Sequence, residues 1–274
     1  MEENVSKKII QLLSKRLAII SDLHFGHRAG LTPPAWQYPL DSGDSERIKF
    51  GRLQRVLWNW VMERIKAIGK IDILIVNGDA IDGKGERSGG TEQLEPDRMK
   101  QAIGAAECIR AFGADKIYMT YGTPYHGGVT EDFEAMTARE LGAEIHSQLF
   151  LDVNGLVFDC KHKISGSIIP HGRHTAISRD ALWNVLWSVQ EGVQPNADVT
   201  VRSHVHYYAA NDAWGKLNII TPALMGFGSK YGARQCSGIV NIGFVWFDIT
   251  SKEEYTWHKE LLQLRLLADT VVKA

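Results

Sequence analysis

The apolar run Ile71-Asp72-Ile73-Leu74-Ile75-Val76-Asn77 stops at Gly78, and a carboxylate, Asp79, follows at once. A short, unbroken, β-branched run of this kind reads as a strand buried on both faces. In open α/β sheets ligands bind beyond the carboxyl ends of strands, so Asp79 is carried to where chemistry is usually found. Two further runs end alike. Arg16 to Ser21 leads into Asp22-Leu23-His24, and Lys116 to Tyr121 leads into Gly122-Thr123-Pro124-Tyr125-His126. Three strand ends thus present metal-capable residues to one rim.

Between these strands the apolar spacing becomes helical. Leu53, Leu57, Trp60, Val61, Ile65 and Ile68 recur at that spacing, with Gly69 as the stop. Pro96 suits the first turn of a second helix, whose Met99, Ile103, Ala106 and Phe112 are expected to face the core. A third is expected to begin at Thr130, with Asp132 and Glu134 in its first turn and Gly142 beyond its end. The second half changes character. Leu149 to Cys160 is two strand-like runs about Asn154-Gly155, a hairpin signal. A helix follows with Ile177, Ala181, Val185 and Val189 on one stripe, then strand-like pieces at 198–203, 217–221, 239–249 and 254–258. The order βαβαβα, then mostly β, predicts an α/β fold of two packed mixed sheets with helices on the outer faces. We expect one domain over residues 1–274, with turn-rich insertions at about 28–45 and 83–95.

Composition sets limits on function. With 31 basic and 32 acidic residues the formal net charge is −1, so no global charge steers the chain to nucleic acid or an anionic membrane. Cys108, Cys160 and Cys236 are odd in number and widely spaced, which argues against a disulfide framework or a thiolate zinc site. Met1 to Lys15 lacks a long apolar stretch and a small-residue cleavage site, and reads as a short surface helix rather than a signal peptide. No run approaches the roughly 20 apolar residues of a membrane span. A cytoplasmic protein without a membrane partner is expected.

Phosphoesters resist hydrolysis because their anionic oxygens repel a nucleophile and the leaving oxygen departs poorly. Two divalent ions about 3.5–4 Å apart address both difficulties. Such a site needs carboxylates, neutral histidines and one shared carboxylate, a mixture that suits Mn, Fe or Zn. Candidate donors are Asp22, His24 and Asp79, then His162 after the strand 156–160, and finally His204 and His206. Singly, an aspartate at a strand end is more often a turn or cap residue, and two alternating histidines are more often half-exposed sheet residues. The ordered set carries the signal.

Asp22-x-His24, Gly78-Asp79-x-x-Asp82, a Gly-plus-His segment, a lone His and His204-x-His206, in that order over residues 17 to 206, resemble the calcineurin-like metallophosphoesterases. Ser21-Asp22-Leu23-His24-Phe25-Gly26 is most similar to the first motif of their exonuclease-like branch, the DNA double-strand-break nucleases and relatives. The glycine-rich 83–92 segment, together with residues 122–126, is similar to phage- or prophage-type members. The resemblance implies a four-layer α/β/β/α sandwich and a dinuclear site. Asp22, His24 and His206 would hold one ion, His162 and His204 the other, and Asp79 would bridge. Asp82 would orient a ligand or the loop. His126 would contact phosphate and protonate the leaving oxygen.

The third motif departs from the family pattern. Thr123 stands where an Asn ligand is expected, and two extra residues precede His126. Thr123 is a poorer neutral ligand than an amide carbonyl, so the second ion would bind more weakly or another residue would replace the amide; His126 itself is a candidate ligand. Lys84 and Arg87, on a loop leaving a metal-bearing strand end, are candidate substrate contacts. The resulting expectation is a hydrolase of phosphoesters, with phosphodiesters of nucleic acid or nucleotide favoured over monoesters. The alternative is a binding or scaffolding protein that keeps the fold and has lost catalysis. His27, His171 and His174 are expected to be structural or solvated, and Trp36 and Trp214 are minor candidates for base stacking.

Overall fold

In a computed structural model, residues 14–190, 193–213, 215–227 and 240–263 are described. The expected N-terminal helix, Cys236 and Trp214 lie outside them. Eleven strands among the described residues form two sheets. The first has the order β11-β10-β1-β2-β3-β4, from Tyr255–Leu262, Ile242–Ile249, Lys15–Ile20, Ile73–Asn77, Lys116–Thr120 and Glu144–His146. β1 to β4 run parallel, and β10 and β11 close one edge antiparallel. The second sheet has the order β5-β6-β7-β9-β8, from Leu149–Val153, Leu156–Cys160, Val199–Arg202, Lys216–Ile220 and Ala209–Ala213. Asn154 (φ 52°) and Gly155 (φ 86°) make the tight turn of the β5–β6 hairpin, both left-handed as a two-residue hairpin demands.

The sheets pack face to face. Leu17, Ile19, Ile75, Phe158, Val201 and Phe247 are among the fully buried side chains between them. The alternate residues Ala18, Ile20, Leu74 and Val76 point the other way, into a second core beneath helices. Those helices are α1 (Ser45–Ile68), α2 (Arg98–Arg110) and α3 (Phe133–Leu141). Each is capped by an aspartate, Asp44, Asp97 and Asp132, whose carboxylate accepts from two first-turn amides. On the far side α4 (Arg173–Val189) covers the second sheet through Ile177 and Ala181. The layers are therefore α/β/β/α, as the element order predicts.

Several local expectations fail for identifiable reasons. Pro96 lies outside α2, because Asp97 takes the cap. Met99 and Ile103 stand toward solvent, while Ala102, Ala105, Ala106 and Ile109 face inward. α3 starts after Asp132 rather than at Thr130, and a separate single turn, Pro124–Gly127, precedes it. Val189 is exposed at the end of α4. The short strands β4 and β8 carry too few apolar residues to be seen in sequence. Among the described residues no helix is long and apolar enough to cross a membrane.

Candidate metal centre

Six non-glycine residues among those described have positive φ, and five are candidate ligands: Asp22 (51°), His24 (45°), Asp79 (50°), His204 (74°) and His206 (53°). The sixth is Asn154 of the hairpin. Left-handed backbone costs about 1–3 kcal/mol per residue and persists where the surroundings over-determine it. Here it has a geometric result. β1 ends at Ile20 and β7 at Arg202, so Asp22-x-His24 and His204-x-His206 lie beyond their strands, and sheet alternation does not aim them. Left-handed turns at every second residue do. The β1 and β2 ends stay zipped past the strands, with Asp22 N–H donating to Gly78 C=O (3.0 Å), His24 N–H to Asp79 C=O (3.1 Å) and Phe25 N–H to Ala80 C=O (3.0 Å).

All the candidate donors meet at this rim. The ligand atoms of Asp22, His24 and His206 lie within 4.8 Å of one another, as do those of Asp79, His162 and His204. A third grouping, His24, Asp79 and His126, joins the two. Asp22 Oδ1 is 3.2 Å from His206 Nε2 and 4.0 Å from His162 Nε2; Asp79 Oδ2 is 2.9 Å from His162 Nε2, 3.8 Å from His204 Nδ1 and 3.9 Å from His126 Nε2. Two facts fit divalent cations. Asp22 Oδ1 and His162 Nε2 are buried and make no aligned hydrogen bond, although His206 Nε2 and Asp79 Oδ2 stand at 3.2 and 2.9 Å from them, and the Nε2 atoms of His24 and His206 face each other at 3.1 Å. His162 Nδ1 is occupied by Asn77 C=O (2.7 Å), which fixes the tautomer and points Nε2 at the carboxylates.

The electrostatics follow from burial and crowding. Burial alone would raise the Asp79 carboxyl, yet His162 and His126 hold it well below the usual carboxylate range. Asp22 is likewise held low by His206 and His162 against its own burial. His24 is pushed well below the ordinary imidazole value, first by burial and then by His126 and His206. Burial also opposes charge on His162, but Asp79 and Asp22 lift it to about 10. Two buried carboxylates among imidazoles form a site that a proton occupies until a better cation arrives.

Thr123 does not point a free hydroxyl at the cluster. Its N–H donates to Asp79 Oδ1 (2.7 Å), and its hydroxyl lies 3.2 and 3.4 Å from the two Asp79 oxygens. It clamps the carboxylate. Asp82 sits behind the histidines, with Oδ1 3.8 Å from His24 Nδ1 and 3.9 Å from His126 Nδ1, and its backbone C=O accepts from His126 Nδ1 at 2.7 Å. Lys84 and Arg87 are exposed on the 83–95 loop. The Arg87 guanidinium lies 4.8 Å from the centre of the Tyr125 ring, which itself packs edge-on against His126. Trp36 donates its indole N–H to Glu107 and packs on Phe25, a structural placement. His27 is buried, and His171 and His174 are exposed.

Glu134 was missed as a site residue. Buried at 1% exposure, it accepts the Ala80 N–H on one oxygen and the Gly122 N–H on the other, joining the loops that carry Asp79 and its clamp. Burial, then the charge of Asp79, raises its carboxyl to about 7. Nothing in the sequence separates it from an ordinary first-turn glutamate.

No protein-family model matches the chain, and no curated protein matches it. Similar solved structures include a point mutant of Vps29 from Entamoeba histolytica (13% identity, 90% of this chain and 92% of that one, TM-score 0.47). Vacuolar protein sorting 29 from Cryptosporidium parvum (11%, 92% and 99%, 0.46) and an archaeal phosphodiesterase (13%, 89% and 99%, 0.43) are also similar. These are distant likenesses. Within this chain itself, the α/β/β/α layering and the meeting of the five sequence motifs at one rim agree with the expectations drawn from the sequence.

Proposed function

We propose that this chain is a metal-dependent phosphoesterase with a dinuclear site, phosphodiesters of nucleic acid or nucleotide being its favoured substrates. The observation that carries it is the pair of buried carboxylates, Asp22 and Asp79, at 0% and 1% exposure, each faced by imidazole nitrogens from both sheets. The donor set suits two divalent ions: Asp22, His24 and His206 would hold one, His162 and His204 the other, and Asp79 would be shared. Mn, Fe or Zn suits this donor mixture. Such ions would activate a water for attack at neutral pH and would neutralise phosphate charge.

The chain's own residues do the rest. Thr123 holds Asp79 through both its amide and its hydroxyl, so its role is to fix the carboxylate that the two ions would share. His126 gives its Nδ1–H to the Asp82 carbonyl, which leaves Nε2 facing the cluster; in its protonated form that nitrogen hands a proton to the departing oxygen. Arg87, leaning on Tyr125 beside His126, would meet a phosphate beyond the scissile one. The preference for diesters rests on the first motif's resemblance and on this basic rim.

The test is hydrolysis of bis-p-nitrophenyl phosphate and of short DNA by the full chain with Mn²⁺. Turnover is expected to vanish with chelator and return with metal. A rate indifferent to chelation overturns the reading. A second reading, a binding or scaffolding protein without catalysis, is favoured by the apolar ridge that α4 turns to solvent, with Trp183 at 52% and Leu186 at 49% exposure. Metal content separates the two: the enzyme holds two ions per chain, whereas the scaffold holds one or none.

A further inference from the structure

Each candidate half-site draws ligands from both sheets. Asp22 and His24 extend from the first and His206 from the second; Asp79 extends from the first and His162 and His204 from the second. The contact between the sheets below the rim is apolar, and apolar contact is non-directional, so it does not by itself fix one sheet's rim against the other. Directional bonds are present just below the candidate ligands. Thr120 Oγ1 donates to Asn77 Oδ1 (2.8 Å), and Asn77 Nδ2 donates to Ser203 Oγ (2.6 Å). Ser203 Oγ lies 2.7 Å from Thr221 Oγ1, and Thr221 Oγ1 lies 2.8 Å from Ser21 Oγ. All five side chains are fully buried. Thr120, Asn77 and Ser21 stand at the ends of β3, β2 and β1, and Ser203 and Thr221 just past β7 and β9, so the belt crosses from one sheet to the other.

Its links to the ligands are direct. Ser21 precedes Asp22 and Ser203 precedes His204, while the Asn77 carbonyl holds His162 Nδ1. Side chains of the same shape without polar atoms would fill this space at similar stability. A fully satisfied buried network is instead a device for fixing one geometry. We infer that the Thr120–Asn77–Ser203–Thr221–Ser21 belt is a positioning element that sets the two sheets' ligands at metal-binding distance, with Thr221, bonded to both Ser203 and Ser21, as its centre. The inference rests on the metal-binding reading above.

Thr221→Val keeps the shape and removes the hydroxyl; Thr221→Ser keeps the hydroxyl and removes a methyl group. Mn²⁺ binding to the chelated full chain, followed by calorimetric titration, is read alongside thermal unfolding without metal. Thr221→Val is expected to weaken Mn²⁺ binding about tenfold or more, within the range seen when groups that orient metal ligands are lost, and Thr221→Ser to stay near wild type. Ser21→Ala, which opens the belt at one end, is expected to weaken binding as well and serves if Thr221→Val does not fold. A folded Thr221→Val or Ser21→Ala chain that takes up two ions with wild-type affinity overturns the inference alone. So does a Thr221→Ser chain weaker than Thr221→Val, since packing would then be the cause. A wild type that binds no Mn²⁺ overturns the functional reading and this inference together.

Discussion

The rim of the sandwich and the outer face of α4 break the ordinary rules of folding in opposite senses. At the rim, polar atoms are buried without aligned hydrogen bonds, and five candidate ligands hold left-handed backbone. On α4 the backbone is regular helix, yet Leu182, Trp183, Leu186 and Trp187 stand in water at 40–52% exposure. The rim's irregularity is held by its surroundings: zipped strand ends, the Thr123 clamp, Glu134 beneath, and the inter-sheet belt. The α4 ridge has no such support, because the helix is fixed from its other side. Ile177 and Ala181 pack inward, Asn184 bonds to the backbone of Pro195 and Ala197, and the buried Arg202 joins Asp180 to Asp159. Strain that is braced on every side marks a site. Exposure on an otherwise settled element marks a surface that the fold itself does not use.

The largest expected effect separates the two regions outright. Asp79→Asn keeps the volume but removes the charge that faces His162, His204 and His126. Turnover of bis-p-nitrophenyl phosphate should fall about a thousandfold or more, with fewer than two ions retained per chain by elemental analysis. Wild-type turnover in that variant would break the contrast, for the strained rim would then have no chemical purpose.

Next come the glycines that let the rim close. A Cβ on Gly78 would stand 2.5 Å from the His162 ring, and one on Gly122 would stand 2.2 Å from Asp79 Oδ1. Gly78→Ala and Gly122→Ala should each displace a ligand and weaken Mn²⁺ binding about ten- to a hundredfold. Gly113→Ala is the comparison, because its φ of +64° is also left-handed but nothing lies within 4 Å of its added Cβ. It should lose only about 1–2 kcal/mol of stability and keep full metal affinity. Equal metal affinity in all three variants would show that the close approach at the rim is not needed.

A smaller effect concerns pH. His162 is raised from 6.5 to about 10 in the metal-free chain, so its contribution to stability is complete below about 6.5 and is lost as pH climbs towards 10. Asp22 and Asp79 are depressed, so theirs is present above the usual carboxylate value and is lost only in acid. The chelated protein should therefore melt progressively lower between about pH 6.5 and 9. The Mn²⁺-loaded protein should not, since the ion replaces the proton, and metal uptake should release protons to the buffer. Parallel slopes for the two forms would show that His162 does not exchange a proton for metal.

The contrast also explains what was legible in the sequence. The strand ends at Asp22, Asp79 and His126 could be read because a buried strand is a run of apolar residues and its end is abrupt. The histidine pair at 204 and 206 could be read by spacing, although the cause proved to be left-handed backbone beyond β7, not alternation on a strand. Asn77, Ser203, Thr221 and Glu134 were not legible as site residues. Each is a common polar residue whose meaning lies in partners distant along the chain: Asn77 meets Ser203 across 126 residues, and Ser21 meets Thr221 across 200. Met99 and Ile103 were misassigned because the buried face of α2 is lined mainly by alanines, Ala102, Ala105 and Ala106 with Ile109, which an apolar periodicity weighted to large side chains does not pick out. The stripe read on α4, Ile177, Ala181, Val185 and Val189, holds at the buried Ile177 and Ala181 and fails at the exposed Val189, and the ridge beside it was not read from the sequence. Periodicity locates an apolar face without saying what covers it.

The smallest expected effect tests that ridge. If α4 is fixed by its inner face, Trp183→Gln combined with Trp187→Gln removes side chains that the fold leaves in solvent. Their rings contact each other at 6.2 Å between centres, and such pairs are worth about 0.5–1.5 kcal/mol beyond their burial at most. Exposed and unsupported, this pair should contribute near the lower end. The double variant should melt within about 1–2 °C of wild type, bind the same two ions and hydrolyse bis-p-nitrophenyl phosphate at the same rate. A fall of several degrees would make the ridge part of the core. Unchanged melting with lost turnover would couple it to the rim through Asp180, Arg202 and Asp159, the one buried ion-pair chain that runs from α4 into the second sheet among the described residues.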